Sequence, residues 1–318
     1  MNSSAIRFAI FVLASVCSCL PILSAGKADD ETSTLEMGGS KIDVSIERSS
    51  AGVSKQDLNR WVEMAGLAVT TYYGKFPVPR LAIHIKTFDG VGVRHGQTFG
   101  MDGGLIRIRV GNQTTMDDLR DDWTMTHEMI HLAFPSVEEN HHWAEEGIST
   151  YVEPIARIQA GNMDEIEMWS DLARDMPKGL PAPGDEGLDH THTWARTYWG
   201  GALFCLVADV EIRKRTQNRK GLEDALRAIL NGGADIRSDW KLEAAFKIGD
   251  HATGTPVLAD MFAKWKDRPV TVDLPEMWKQ LGVRTEGQRV VLSNDAPLAS
   301  VRRAITQRED SNVKATER

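Results

Sequence analysis

The sequence predicts an α+β protein: a small mixed β-sheet subdomain carrying a histidine-rich helix, followed by a mostly helical subdomain. Three observations predict it. Strand-like segments cluster in residues 40–110, apolar residues recur at helical spacing from Thr115 onward, and the pattern His-Glu-x-x-His lies just past the changeover. With 318 residues, 42% hydrophobic and 26% charged, the chain is long enough to bury a sizeable core. A net charge of −8 argues against nucleic-acid binding as its main activity.

The elements follow in order. Residues 1–25 read as a secretion signal: Arg7 is the only charge before Lys27, and "FAIFVLASVCSCLPIL" is apolar but short for a membrane span. The expected location is therefore periplasmic or secreted, with lipid anchoring at Cys19 the weaker alternative, because Cys17 stands where a small aliphatic residue is usual. Cleavage would leave Cys205 as the sole cysteine, so no internal disulfide is expected. Residues 26–37 are polar and read as a linker. "SKIDVSIERS" alternates Ile42, Val44 and Ile46 with polar neighbours, as a half-buried strand does. Ser54 is placed to cap a helix running to about Tyr73. "RLAIHIKTF" and "LIRIRV" read as two more strands, the latter as an edge or partly exposed strand between glycine-rich loops.

From Thr115 one helix is predicted up to Pro135, with Leu119, Trp123, Met125, Met129, Ile130 and Leu132 as its apolar contacts. A second runs from about Trp143 to Gln159. Further helices are predicted near 164–176, 195–216, 221–231, 240–248 and 256–267, with a short β-like piece at 289–293 and a polar tail from 301 to 318. The two subdomains are expected at 38–135 and 136–300. The basic run "EIRKRTQNRKG" reads as a solvated helix end whose cations suit the helix dipole.

"HEMIH" supplies His127, Glu128 and His131. On a helix, positions i and i+4 share one face, so two imidazoles can converge on a single zinc ion. Glu128, one residue on, can serve as general base toward a water held at that ion. The apolar neighbours Met125, Met129, Ile130 and Leu132 would bury this helix, and buried histidines and glutamate need partners. A catalytic zinc needs a third protein ligand and an open position. Glu138, Glu139, His141, His142, Glu145, Glu146 and Glu153 all lie downstream within reach. Glu138 and Glu139 fall in a polar loop, whereas Glu145, Glu146 and Glu153 lie on the next helix.

At "WAEEGISTYVEP" the sequence resembles the second zinc-binding segment of the gluzincin metallopeptidases, the thermolysin-like, aminopeptidase-N-like and glycyl-aminopeptidase-like families. In these families the third ligand is the Glu before a Gly in such a segment, after a Trp, which maps to Glu146, with Glu145 as a non-ligand neighbour. Gly147 would then allow close packing on the first zinc helix. "ARTYWGGALFCLVADVEIRKRT" resembles a later family segment whose Tyr donates to the oxyanion, which maps to Tyr198. The resemblance implies a thermolysin-like fold, one zinc ion and a peptide or protein substrate lying along an edge strand just before the zinc helix. "GMDGGLIRIRV" occupies that place, with Gly103 and Gly104 permitting close approach. The aminopeptidase-N-like motif Gly-x-Met-Glu-Asn is absent, and Asp102 is the only acid nearby. Glu153 or Thr150 is expected to steady a ligand imidazole. His190 or His192 is a candidate for lining the cleft.

The activity implied is hydrolysis of peptide bonds by an exported zinc enzyme. The alternatives are a zinc-containing binding or scaffold protein without turnover and a zinc hydrolase of non-peptide amides.

Overall fold

The computed structural model describes residues 31–287 and 289–307; the signal expected at 1–25 lies outside them. The segment expected as a linker contains a strand instead. β1 (Glu31–Met37) pairs antiparallel with β2 (Ser40–Glu47) through a two-residue turn. Gly38 and Gly39 hold φ of 56° and 82° there, which only glycine adopts freely. The Gly-Gly turn is the hairpin signal, and it outweighs the polar composition of the strand.

β2 continues parallel to β3 (Arg80–Phe88), and β3 parallel to β5 (Gly104–Gly111). β4 (Val93–Phe99) closes the sheet antiparallel to β5, giving the order β1-β2-β3-β5-β4. β5 is therefore an inner strand, and the edge beside the histidine-rich helix is β4. Its composition is "VRHGQTF", which lacks the alternation that marks half-buried strands, so it escapes a reading by period. Gly103 serves the sheet: a Cβ there would fall 2.5 Å from the Arg80 carbonyl oxygen.

One face of the sheet is apolar. Ile42, Val44, Ile46, Leu81, Ile83, Ile85, Ile106, Ile108 and Val110 are all buried. Each contributes on the order of 1.5–3 kcal/mol of transfer free energy. α1 (Lys55–Tyr73), capped by Ser54 as predicted, contributes Leu58, Trp61, Val62, Ala65 and Val69 to the same core.

The helix predicted from Thr115 is two helices. α2 (Met116–Asp121) starts from a Thr115–Asp118 capping box. Asp122 then turns extended, and its carboxylate accepts from the Thr124 hydroxyl and the Met125 N–H, restarting the chain as α3 (Thr124–His131). This break rolls Trp123 outward. It is 51% exposed rather than packed in the core.

α4 (His142–Gln159) packs on α1 and α3. α5 (Glu165–Asp175) follows, then a π turn over Arg196–Gly200 leading into α6 (Gly201–Thr216). α7 (Leu222–Asn231), α8 (Leu242–Thr253), α9 (Val257–Trp265) and α10 (Leu274–Leu281) complete the helical layer. The β-like piece near 289 becomes β7 (Arg289–Leu292), paired with β6 (Val283–Glu286).

Two sequence expectations fail at the ends of elements. The tail expected from residue 301 begins inside α11 (Ala299–Thr306), where Val301 and Ile305 are buried and Arg302 donates to the carbonyl oxygens of Leu281, Gly282 and Ser293. In the basic run, Lys214 and Arg215 are exposed, but Arg213 turns inward to Asp209 and Glu223. A buried guanidinium persists only with such partners.

Candidate metal centre

His127 and His131 project from one face of α3, and Glu146 from the second turn of α4. Among the described residues they form the one group of side chains placed to hold a metal ion. His127 Nε2 lies 3.1 Å from Glu146 Oε2, His131 Nε2 lies 3.5 Å from the same oxygen, and the two Nε2 atoms are 3.2 Å apart. Donors at about 2.0–2.1 Å from a tetrahedral zinc are separated by about 3.3 Å, so these three distances match the edges of one face of that tetrahedron. Two imidazole nitrogens and one carboxylate oxygen are also the donor set zinc takes in catalytic sites.

The charge states of His127 and Glu146 suit a cation. Burial drives His127 below its ordinary pKa, more than Glu146 raises it, so it stays neutral. Burial opposes protonation of His131 as well, but the carboxylates of Glu146, Glu128 and Glu145 outweigh it and hold it above the usual value. Glu146 is held well below the carboxylate range, because His127, His131 and His142 together outweigh its burial. A neutral imidazole and an ionised carboxylate are the states a metal requires.

Glu128 points into the same cleft under β4. The Thr98 hydroxyl lies 2.6 Å from its Oε2 and 2.9 Å from its carbonyl oxygen. The strand comes this close because Gly96 has no side chain: a Cβ there would fall 2.5 Å from Glu128 Oε1. A register shift between Arg94 and Gln97, with His95 at φ 54°, bends β4 at this point. Gly96, Gln97, Thr98, Phe99, Glu128, His131, Glu146 and Tyr198 line one cleft of about 590 Å³.

Tyr198 reaches the site from the π turn, a local widening of the helix that often marks functional positions. Its ring stacks on His127 at 6.1 Å between centroids. Burial and the charges of Glu146 and Glu128 push its pKa up, so the phenol keeps its proton and can donate. Trp194 stacks on its far face at 5.6 Å. A second pocket, of about 320 Å³, opens beside Tyr198 and is lined by Trp123, His127, Thr150, Glu153, Arg157 and Trp194 among others.

The structure thus brings His127, Glu128, His131, Glu146 and Tyr198 together, and it places other candidates elsewhere. Glu145 turns away from the centre to accept from the Val137 N–H. Glu153 pairs with Arg157 at 3.1 Å rather than with a ligand imidazole, and His127 Nδ1 has no protein partner. Thr150 Oγ1 is likewise buried without one. His141 is buried, with Nδ1 2.9 Å from Asp189 Oδ1. His190 pairs with Asp267 on the surface, and neither it nor His192 lines the cleft. Asp102 is exposed in the β4–β5 turn. Gly147 packs against α6, not against the first zinc helix.

Sequence reasoning missed Gly96 and Thr98, and it named His142 among the candidates near the metal without assigning it to Glu146. The first two lie on the unrecognised strand β4. His142 was legible, since it stands four residues before Glu146 on the same helix. Its Nε2 lies 3.3 Å from Glu146 Oε1 and its Nδ1 2.8 Å from Glu145 Oε2. These two carboxylates push it up to about 10.

The fold is that of metallopeptidase structures of the aminopeptidase N class. The chain is similar to an aminopeptidase N family protein from Idiomarina loihiensis, with 13% identity and a TM-score of 0.58 over 80% of this chain and 49% of that one. It is also similar to a variant of a two-domain M1 zinc metallopeptidase bound to L-arginine, with 14% identity and a TM-score of 0.51 over 78% of this chain and 53% of that one. The chain spans about half the length of these proteins, and at such identity the likeness is one of fold. No family model and no curated protein sequence matches it.

Proposed function

We propose that this protein is an exported zinc-dependent metallopeptidase, with His127, His131 and Glu146 holding the metal, Glu128 as general base and Tyr198 as oxyanion donor. The observation that carries this reading is the convergence of the three donors, 3.1–3.5 Å apart, at a cleft lined by Glu128, His131, Glu146 and Tyr198. A structural zinc site would need neither of the last two residues.

When bound, zinc supplies Lewis acidity, which makes water more acidic and polarises a carbonyl oxygen. Glu128 takes the proton of the attacking water and later returns it to the leaving amine. Thr98 holds the Glu128 carboxylate in the line of attack. Tyr198 donates a hydrogen bond from its phenol to the carbonyl oxygen as negative charge develops there. β4 pairs on one side only among the described residues, so its free edge beside Glu128 is suited to bind a peptide as an added strand. In this reading the chain divides, as thermolysin-like enzymes do, into subdomains 38–135 and 136–300, with α3 in the first and α4 in the second.

Export rests on the apolar segment near the N-terminus. No helix among the described residues is long and apolar enough to cross a membrane.

The test is Glu128→Gln in zinc-loaded protein, assayed on a diverse peptide mixture by mass spectrometry with a chelator control. The variant should retain zinc and lose hydrolysis. Peptide cleavage that survives the substitution would sink the mechanism.

A further inference from the structure

The two oxygens of Glu146 face different partners. Oε2 faces His127 and His131, at 3.1 and 3.5 Å, while Oε1 faces His142 Nε2 at 3.3 Å. His142 is itself anchored, with Nδ1 2.8 Å from Glu145 Oε2. The other oxygen of Glu145 accepts from the Val137 N–H at 3.2 Å, in the segment that joins α3 to α4. A continuous series of polar contacts therefore runs from the Val137 backbone through Glu145 and His142 to Glu146.

We propose that His142 is a positioning residue that fixes Glu146 for coordination through Oε2 alone. The proposal rests on the zinc reading given above. A carboxylate free at both oxygens can chelate an ion, which fills a position that a catalytic site keeps open. Occupying Oε1 with an imidazole N–H prevents this, and it also fixes the rotation of the carboxylate about its stem. Groups that hold a metal ligand in this way commonly change affinity 10–100-fold when removed. The side chain of His142 is 45% exposed, so its loss leaves no cavity in the core.

The experiment measures metal binding directly. Zinc affinity is determined by competition with a chromogenic chelator, and the visible spectrum of the cobalt-loaded protein reports coordination number. His142→Ala should raise the zinc dissociation constant about 10–100-fold. Its cobalt band should weaken as Glu146 becomes bidentate. His142→Gln, whose amide can still donate to Oε1, should restore most of both. Glu145→Ala, which leaves His142 unanchored, should shift both in the same direction as His142→Ala and serves in its place if that variant fails to fold. Unchanged affinity and spectrum in the Ala variants would overturn the proposal. Wild-type protein that takes up no zinc would overturn the metal reading itself, and this proposal with it.

Discussion

Gly147 of α4 and Gly201 of α6 cross backbone to backbone. A Cβ on Gly147 would fall 2.3 Å from the Gly201 Cα, and one on Gly201 would fall 2.1 Å from the Trp143 carbonyl oxygen. Gly147 directly follows Glu146, and Gly201 stands three residues after Tyr198. The crossing therefore sets how far the phenol of Tyr198 sits from the Glu146 carboxylate.

Adding a methyl group at either glycine should separate the helices. Overpacking of this kind costs roughly 1–3 kcal/mol, and misplacement of a catalytic group by about 1 Å costs about 100-fold in rate. We expect Gly147→Ala and Gly201→Ala each to lower the melting temperature and to reduce kcat more than stability alone explains. Assays on protein shown to be folded by circular dichroism would check this. Wild-type kcat in both variants would show that the crossing does not position Tyr198.

Gly96 offers a sharper test, because it faces Glu128 directly, with the Thr124 methyl beside it. A methyl group there would lie 2.5 Å from Glu128 Oε1 and 2.8 Å from its Cγ. Gly96→Ala should displace the carboxylate, lower kcat by about 100-fold and leave zinc content unchanged. Metal analysis alongside steady-state kinetics separates the two effects. A loss of zinc in step with activity would place Gly96 in the metal site instead.

Glu153 gives a prediction in pH. Burial lifts its carboxyl to about 7, with Asp122 and Asp171 adding to the rise and Arg157 opposing it. The folded chain thus retains a proton that the unfolded chain releases near 4.5. The stability this contributes is full below about 4.5 and is lost as pH rises through about 7. Glu153→Gln has no such proton. Relative to the variant, wild type should lose up to about 3 kcal/mol between pH 4.5 and 8, measured by urea unfolding at a series of pH values. Parallel stability curves for the two proteins would contradict this.

Much of the site was legible because its chemistry is local. His127, Glu128 and His131 share one turn of helix, where i,i+4 spacing alone places both imidazoles on one face. Glu146 and Tyr198 followed from short segments resembling those of known metallopeptidases. What was not legible depends on contacts between distant segments. β4 has no periodic pattern, so its place at the sheet edge follows only from its pairing with β5. Its role beside Glu128 follows from a bend and a missing side chain. Glu153 had the right spacing to reach a ligand, yet a closer cation, Arg157 one turn on, takes its carboxylate.

By itself the sequence determined the α+β class, the strands β2, β3 and β5, most of the helices and the convergence of His127 with His131. These depend on periodicity, capping and spacing within single elements, interactions that act over a few residues. Only the tertiary structure decided which strand borders the cleft, which glycines allow close approach and how each oxygen of Glu146 is used. Those outcomes are set where α4 meets α6 and where β4 passes over α3. There, close packing leaves each backbone only one place to lie.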